Sequence, residues 1–284
     1  MEPQGIALAV DIGGTKAAVA RVAPDGAVVA YGQVPTGTAH DPFPAIAELV
    51  RSLAVGDEVV CGVGSAGPLT HGGTKVSPVN GPAWVDFPLA TRLAEVTGLP
   101  TFVDIDTKAL ALGEGRFGAA RGIDDYLAMV VSTGVGGGIV SRGALLEGAS
   151  GNAGHIGHVV VEPDGRPCGC GGRGCLEAQA SGTAIRAATG RAPADAPDAV
   201  RAQVGRWVGL AVASVANLLD LRLAVVAGSV ALGYGPTFFD AAQSVIDERA
   251  RLGFSAGTRI VPSTLAAAPL VGAACVGWRG LGRG

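Results

Sequence analysis

The chain has 284 residues, more than one compact core usually holds, so two lobes are expected. Hydrophobic residues make up 48% and aromatics only 5%, so the core must be built from Ala, Val, Leu and Ile. Net charge is −3 with Lys and Arg scattered, which argues against a nucleic-acid or anionic-lipid surface; no apolar run approaches the ~18 residues of a membrane span.

The first elements read as a three-strand meander. Ile6–Val10 is an apolar strand ending at Asp11, Ala17–Val22 a second after Gly13-Gly14, and Ala27–Val34 a third after the turn Pro24–Gly26. Ile46, Leu49, Val50 and Leu53 have helical spacing within Phe43–Leu53. Val59–Val63 is a short buried strand, Leu89–Val96 a helix and Thr101–Asp104 a strand. Asp106–Phe117 is a helix that Asp106 is placed to cap. A second series opens with the strand Tyr126–Ser132, and Ile139–Ser141 follows a glycine run. Cys175–Ala188, Asp198–Leu219 and Phe238–Arg251 are helices; Leu223–Ala227 and Arg259–Val261 are strands; Leu270–Trp278 is a closing small-residue helix. Each series starts with a strand that runs into glycines, which suggests a duplicated topology without a close sequence repeat. Gly118–Gly122 suits the boundary, so the expected lobes are 1–118 and 119–284. The start lacks a basic leader segment, and a soluble cytoplasmic protein is expected.

Three glycine-rich elements follow apolar strands. In Asp11-Ile12-Gly13-Gly14-Thr15-Lys16 the paired glycines suit a tight hairpin with positive φ. Bare glycine amides also admit phosphate oxygens, Thr15 adds a hydroxyl donor, Lys16 a cation, and Asp11 a ligand for Mg²⁺. Ser132-Thr133-Gly134-Val135-Gly136-Gly137-Gly138 is a second such loop, and Ala227-Gly228-Ser229 a weaker third. Together they point to a nucleotide clamped between lobes. None has the Walker or GxGxxG spacing.

Cys168, Cys170 and Cys175 lie within eight positions, and His158 stands ten before Cys168. Three cysteines and a nearby histidine match a closed, structural Zn²⁺ site, with His155 as the alternative imidazole ligand. Cys61 and Cys275 stand alone in apolar segments and read as buried free thiols.

These motifs, from Asp11–Lys16 to Pro269–Ala274, resemble the ROK family (repressors, open reading frames and kinases) over nearly the whole chain. The resemblance implies an actin-like, ribonuclease-H-like two-lobe α/β sugar kinase fold with a zinc-binding loop. It implies ATP-dependent phosphorylation of a hexose or N-acylhexosamine at O6, and a homodimer. Its catalytic base falls on Asp106, before Leu112-Gly113-Glu114, where a carboxylate can accept the proton of the attacking hydroxyl. Asp104 is the rival base, and strand alternation puts both on one face. The resemblance also places Gly67, Asn80, His155, His158 and Glu177 at the sugar, with Thr133, Gly134, Gly228 and Ser229 joining the first loop at the nucleotide. Trp84 lines the pocket or packs in the core, packing being the default.

Two positions depart from the family pattern. The Asn expected before the base is Ile105, and the Glu expected two residues before Gly157 is His155. His at that position, within Ala153-Gly154-His155-Ile156-Gly157-His158, is similar to bacterial N-acetylmannosamine kinases. N-acetylmannosamine is therefore the expected substrate. A glucokinase-type hexokinase and a catalytically degenerate sugar-binding protein remain alternatives, the latter suggested by Ile105 and Lys108.

Overall fold

The computed structural model describes residues 5–36, 41–70, 73–78 and 84–282. The first sheet comprises β1 (Ile6–Ile12), β2 (Lys16–Val22), β3 (Val28–Pro35), β4 (Glu58–Ser65) and β5 (Thr101–Ile105), ordered β3-β2-β1-β4-β5. The hairpin at Gly13–Thr15 makes β1 and β2 antiparallel, and β2 pairs antiparallel with β3. The β1–β4 and β4–β5 pairs are parallel, so each needs a crossover. Helix α1 (Phe43–Leu53) supplies the first, burying Phe43, Ile46, Ala47 and Val50 on one face. Helix α2 (Leu89–Thr97) supplies the second and stops at Gly98, whose φ of 69° is left-handed. Helix α3 (Asp106–Phe117) starts where β5 ends.

The second sheet comprises β6 (Tyr126–Val131), β7 (Val135–Ser141), β8 (Ala144–Leu145), β9 (Leu223–Ala227) and β10 (Arg259–Pro262), ordered β10-β9-β6-β7-β8. Here too the opening strand, β6, pairs antiparallel with the strand on one side, β7, and parallel with the strand on the other, β9; β8 pairs antiparallel with β7 and β10 parallel with β9. The topology is duplicated although the sequence is not. Helices α4 (Leu176–Ala180), α5 (Gly182–Thr189), α6 (Asp198–Leu219), α7 (Ser229–Tyr234) and α8 (Pro236–Arg249) accompany this sheet.

The chain forms two compact units. The first takes Met1–Phe117, Glu147–Ala153 and Leu265–Gly284; the second takes Gly118–Leu146 and Gly154–Thr264. This division differs from the expected 1–118 and 119–284 in two segments that join the first unit. The closing helix α9 (Ala268–Gly280) explains one of them. Along β1, Leu8, Val10 and Ile12 share a core with α1 and α2, while Ala7 and Ala9 share another with α9. The small side chains let α9 lie close to the sheet. A Cβ on Gly62 would collide with the Ala273 carbonyl, and one on Gly277 would sit 3.1 Å from Gly62. Trp278 is fully buried there, and its Nε1 donates to the Gly5 carbonyl at 3.2 Å.

Other differences from the sequence analysis have local causes. Gly136–Gly138, expected in a loop, belong to β7 and pair with Val130, Met129 and Ala128. A Cβ on Gly137 would meet Ile156 at 2.9 Å and Leu127 at 3.1 Å, so close packing requires this glycine. The expected helix Cys175–Ala188 is broken at Ser181, whose side chain accepts from Ala184 N at 3.1 Å and caps α5. Helix α7 and strand β8 are too short to leave a periodic pattern. Cys61 and Cys275 are buried free thiols as expected, both pushed up to about 12 by burial. Among the described residues, no helix is long and apolar enough to cross a membrane.

Candidate functional site: acids, glycine turns and a cysteine cluster

In the first unit, Asp11, Gly64 and Asp104 lie in register across β1, β4 and β5, and Asp106 opens α3 just beyond. A Cβ on Gly64 would lie 3.5 Å from Asp106 Cα and 3.7 Å from Asp11 Oδ1. The glycine thus leaves the space between the two acids clear. Burial pushes Asp106 up to about 6, although its Oδ1 accepts from Thr107 N at 2.7 Å, which opposes the shift. Asp11 is pushed up to about 7 by burial first and the Asp106 charge second, with Lys16 opposing. Burial raises Asp104 too, but two cations hold it: Lys108 Nζ at 3.2 Å and Arg279 Nη1 at 3.6 Å. Among the described residues no salt bridge involves Asp106. Environment therefore separates two acids that alternation could not.

The first glycine turn is held by Gly13 N donating to Lys16 O at 3.0 Å, and by Thr36, whose N and Oγ1 donate to Thr15 O and Gly13 O, each at 3.0 Å. The expected positive φ is absent at both Gly13 and Gly14. A Cβ on Gly14 would meet nothing within 4 Å. Neither backbone conformation nor packing demands glycine at 14; the bare surface is free for a ligand. Asp11 and Lys16 also line a cavity of about 430 Å³ with Tyr31, Pro269 and Leu270.

In the second unit the other two glycine elements meet at the ends of neighbouring strands β6 and β9. Ser132 Oγ and Ser229 Oγ are 3.0 Å apart, and Ser132 N donates to Gly134 O at 2.9 Å. The start of α5 closes on the same turn, with Gly182 N donating to Ser132 O at 2.7 Å and Thr183 Oγ1 to Thr133 O at 3.0 Å. Gly228 has φ 101° and its Cβ position is filled by the Val131 backbone, so this glycine is required by conformation and by packing. Thr133, Gly134 and Ser229 are exposed.

His158, Cys168, Cys170 and Cys175 bring one ligand atom each within 4.8 Å of the others. Cys168 Sγ is 3.7 Å from His158 Nδ1, and Cys170 Sγ is 3.8 Å from Cys175 Sγ. Zn–S bonds of about 2.3 Å and Zn–N bonds of about 2.0 Å in a tetrahedron give edges of roughly 3.5–3.8 Å, so these two edges fit Zn²⁺. Burial and the neighbouring Cys168 and Cys170 push the Cys175 thiol up to about 12. A cation among the sulfurs would remove the conflict between their proximity and their ionisation. His155 is exposed, outside the metal set, with its ring stacked on that of His158 at 6.0 Å. Glu177, two residues after Cys175, has Oε2 accepting from Val135 N at 3.0 Å. One carboxylate oxygen therefore ties the cysteine loop to the second glycine turn.

Ile105 is only 4% exposed and packs in the core with Val63, Leu69 and Val76, so the departure from Asn is absorbed as apolar packing. Trp84 packs edge-on to Phe87 at 4.8 Å. Gly67 lies in the turn before Leu69, which bridges Val76. Asn80 lies outside the described residues. Glu147, Asn152 and Arg279 were not legible in the sequence as partners of this site. The spacing of Asp104 and Lys108, four apart, was the one readable sign of their charge cluster.

Residues 7–277 match the model of the ROK family. A glucokinase from Thermotoga maritima is 43% identical over 185 residues, 63% of this chain and 58% of that one. An N-acetylmannosamine kinase from Citrobacter koseri is 39% identical over 250 residues, 80% of this chain and 84% of that one. A ROK family glucokinase from Streptomyces griseus, solved in complex with glucose and AMPPNP, superposes with a TM-score of 0.82 at 29% identity, covering 97% of this chain and all of that one. The matched span, the duplicated sheets and the cysteine cluster agree, and the chain belongs to the ROK family.

Proposed function

We propose that the chain is an ATP-dependent sugar kinase that phosphorylates the 6-hydroxyl of N-acetylmannosamine. The observation that carries this is Asp106: a carboxyl raised to about 6, without a cation partner among the described residues, at the helix start beside Gly64. Kinase relatives support the reaction class, and they include both glucokinases and N-acetylmannosamine kinases.

In this scheme Asp106 accepts the hydroxyl proton as the sugar oxygen attacks the γ-phosphorus, and the bond to the β–γ bridging oxygen breaks to release ADP. Gly14 and Thr15 offer close approach to phosphate oxygens, and Lys16 offers positive charge. Asp11 would hold Mg²⁺, which supplies charge neutralisation on the phosphates. The raised Asp11 fits that use, because a bound cation would restore its ionised form. Zn²⁺ would be held by His158 Nδ1 and the three cysteines, as a structural element that orients His158 and Glu177. With Oε2 engaged at Val135, Glu177 would present Oε1 to a sugar hydroxyl.

His155 favours the N-acetylated substrate. An imidazole N–H can donate to the acetamido carbonyl, whereas a carboxylate only accepts. Measuring kcat/KM by ADP release over N-acetylmannosamine, N-acetylglucosamine, mannose and glucose tests this assignment. N-acetylmannosamine should lead, and His155→Glu should shift preference toward glucose by about tenfold, the worth of one hydrogen bond. A wild-type preference for glucose would overturn it in favour of the glucokinase-type alternative. Turnover should also rise with pH through about 6 as Asp106 loses its proton. A flat acidic limb down to pH 5 would contradict the role of that group.

A further inference from the structure

A cluster of four charges lies in the first unit. Lys108 is fully buried, and its ammonium meets Asp104 Oδ1 at 3.2 Å, Glu147 Oε2 and the Gly151 carbonyl at 2.9 Å. These use all three of its donors. The other Glu147 oxygen takes Arg279 Nη2, and Arg279 Nη1 lies 3.6 Å from Asp104 Oδ2. The ring is neutral, two cations against two anions. Burial alone would raise Glu147, but hydrogen bonds from Lys108 and Arg279 reverse this and hold it below the usual carboxylate range.

The ring draws on β5, α3, α9 and the irregular segment 147–153. That segment makes no helix or strand of its own, so its position depends on such attachments. Ala153 N donates to Glu147 O at 3.0 Å, which closes it on itself. At its far end Asn152 grips the backbone of Leu69. Its Oδ1 accepts from Leu69 N at 2.9 Å and its Nδ2 donates to Leu69 O at 2.9 Å. Leu69 is two residues past Gly67, and it anchors that turn in the core beside Ile105.

We infer that Lys108, Glu147 and Asn152 form a positioning relay that sets the Gly67-Pro68 turn and thereby the affinity for the sugar. The sugar part rests on the kinase reading of Gly67; the mechanical part does not. Buried ion pairs add little net stability, and holding these segments in one arrangement is the role inferred for this ring. None of the three residues need touch the substrate.

Glu147→Gln is the main test, because Glu147 is partly exposed and the change keeps its shape. Asn152→Ala is the second variant. Amide hydrogen exchange should speed up at least tenfold in peptides covering 66–70 in both, with β1 unchanged. KM for the sugar should rise about tenfold, while kcat and the KM for ATP stay within twofold. If Glu147→Gln leaves exchange at 66–70 as in the wild type, or speeds it equally across the first unit, the relay is wrong. Exchange needs no sugar, so a wild-type chain without kinase activity would count against the proposed function alone.

Discussion

Asp106→Asn is expected to lower turnover about 10³-fold while the protein still binds sugar. A positioned general base is worth 10²- to 10⁴-fold, and an amide cannot take the proton. The same change should stabilise the fold at neutral pH. The folded carboxyl titrates at about 6 against an ordinary 3.8, so the folded state holds more protons between those values. Stability therefore falls as pH rises through that window and stays lowered above it. Asparagine escapes this, with a gain on the order of 3 kcal/mol at pH 8 that disappears below about pH 4. Single-turnover kinetics and melting at pH 4 and pH 8 check both halves. Retention of more than a tenth of turnover would exclude Asp106 as the base. A destabilised variant at pH 8 would show that burial of the ionised carboxylate does not cost the fold stability.

Loss of the metal should be the second large effect. The purified protein should carry one zinc per chain by elemental analysis, and Cys175→Ser should abolish it. Metal binding that is coupled to folding contributes directly to stability. Here the cluster belongs to a larger unit with its own apolar core, so the loss should be partial, about 3 kcal/mol or roughly 8 °C in Tm. The Glu177–Val135 hydrogen bond makes a further demand. A loosened cysteine loop frees both the Glu177 carboxylate, proposed for the sugar, and the second glycine turn, proposed for the nucleotide, so KM should rise for sugar and ATP together. A zinc-free wild type that melts with Cys175→Ser would remove the metal from the account.

Local patterns made much of this molecule legible. The spacing within Phe43–Leu53 and the acid that opens Asp106–Phe117 are carried by neighbouring residues, and both helices have those bounds. The cysteine cluster was legible for the same reason, since its chemistry lies within eighteen residues (175 − 158 + 1). What failed depended on distant partners. Gly136–Gly138 lack the branched side chains of a strand, and their requirement comes from Ile156 packing onto Gly137. The regrouping of the closing helix follows from Gly62 and Ala273, which only the fold brings together. Asp104 and Asp106 share a pattern in sequence, and it is Arg279, far along the chain, that helps occupy one of them. At Gly13-Gly14 the residues were legible but the conformational reason was not: neither glycine of the turn has positive φ, and Gly14 leaves a bare surface.

Asp106 is proposed to face the reacting oxygen of a sugar. A crystal structure with N-acetylmannosamine and a non-hydrolysable ATP analogue tests it most directly. The sugar's 6-hydroxyl should lie about 2.6–3.2 Å from the Asp106 carboxylate, with analogue phosphates against Gly14 and Lys16. A hydroxyl seated against Asp104 or Glu147 instead, with Asp106 out of reach, would contradict it.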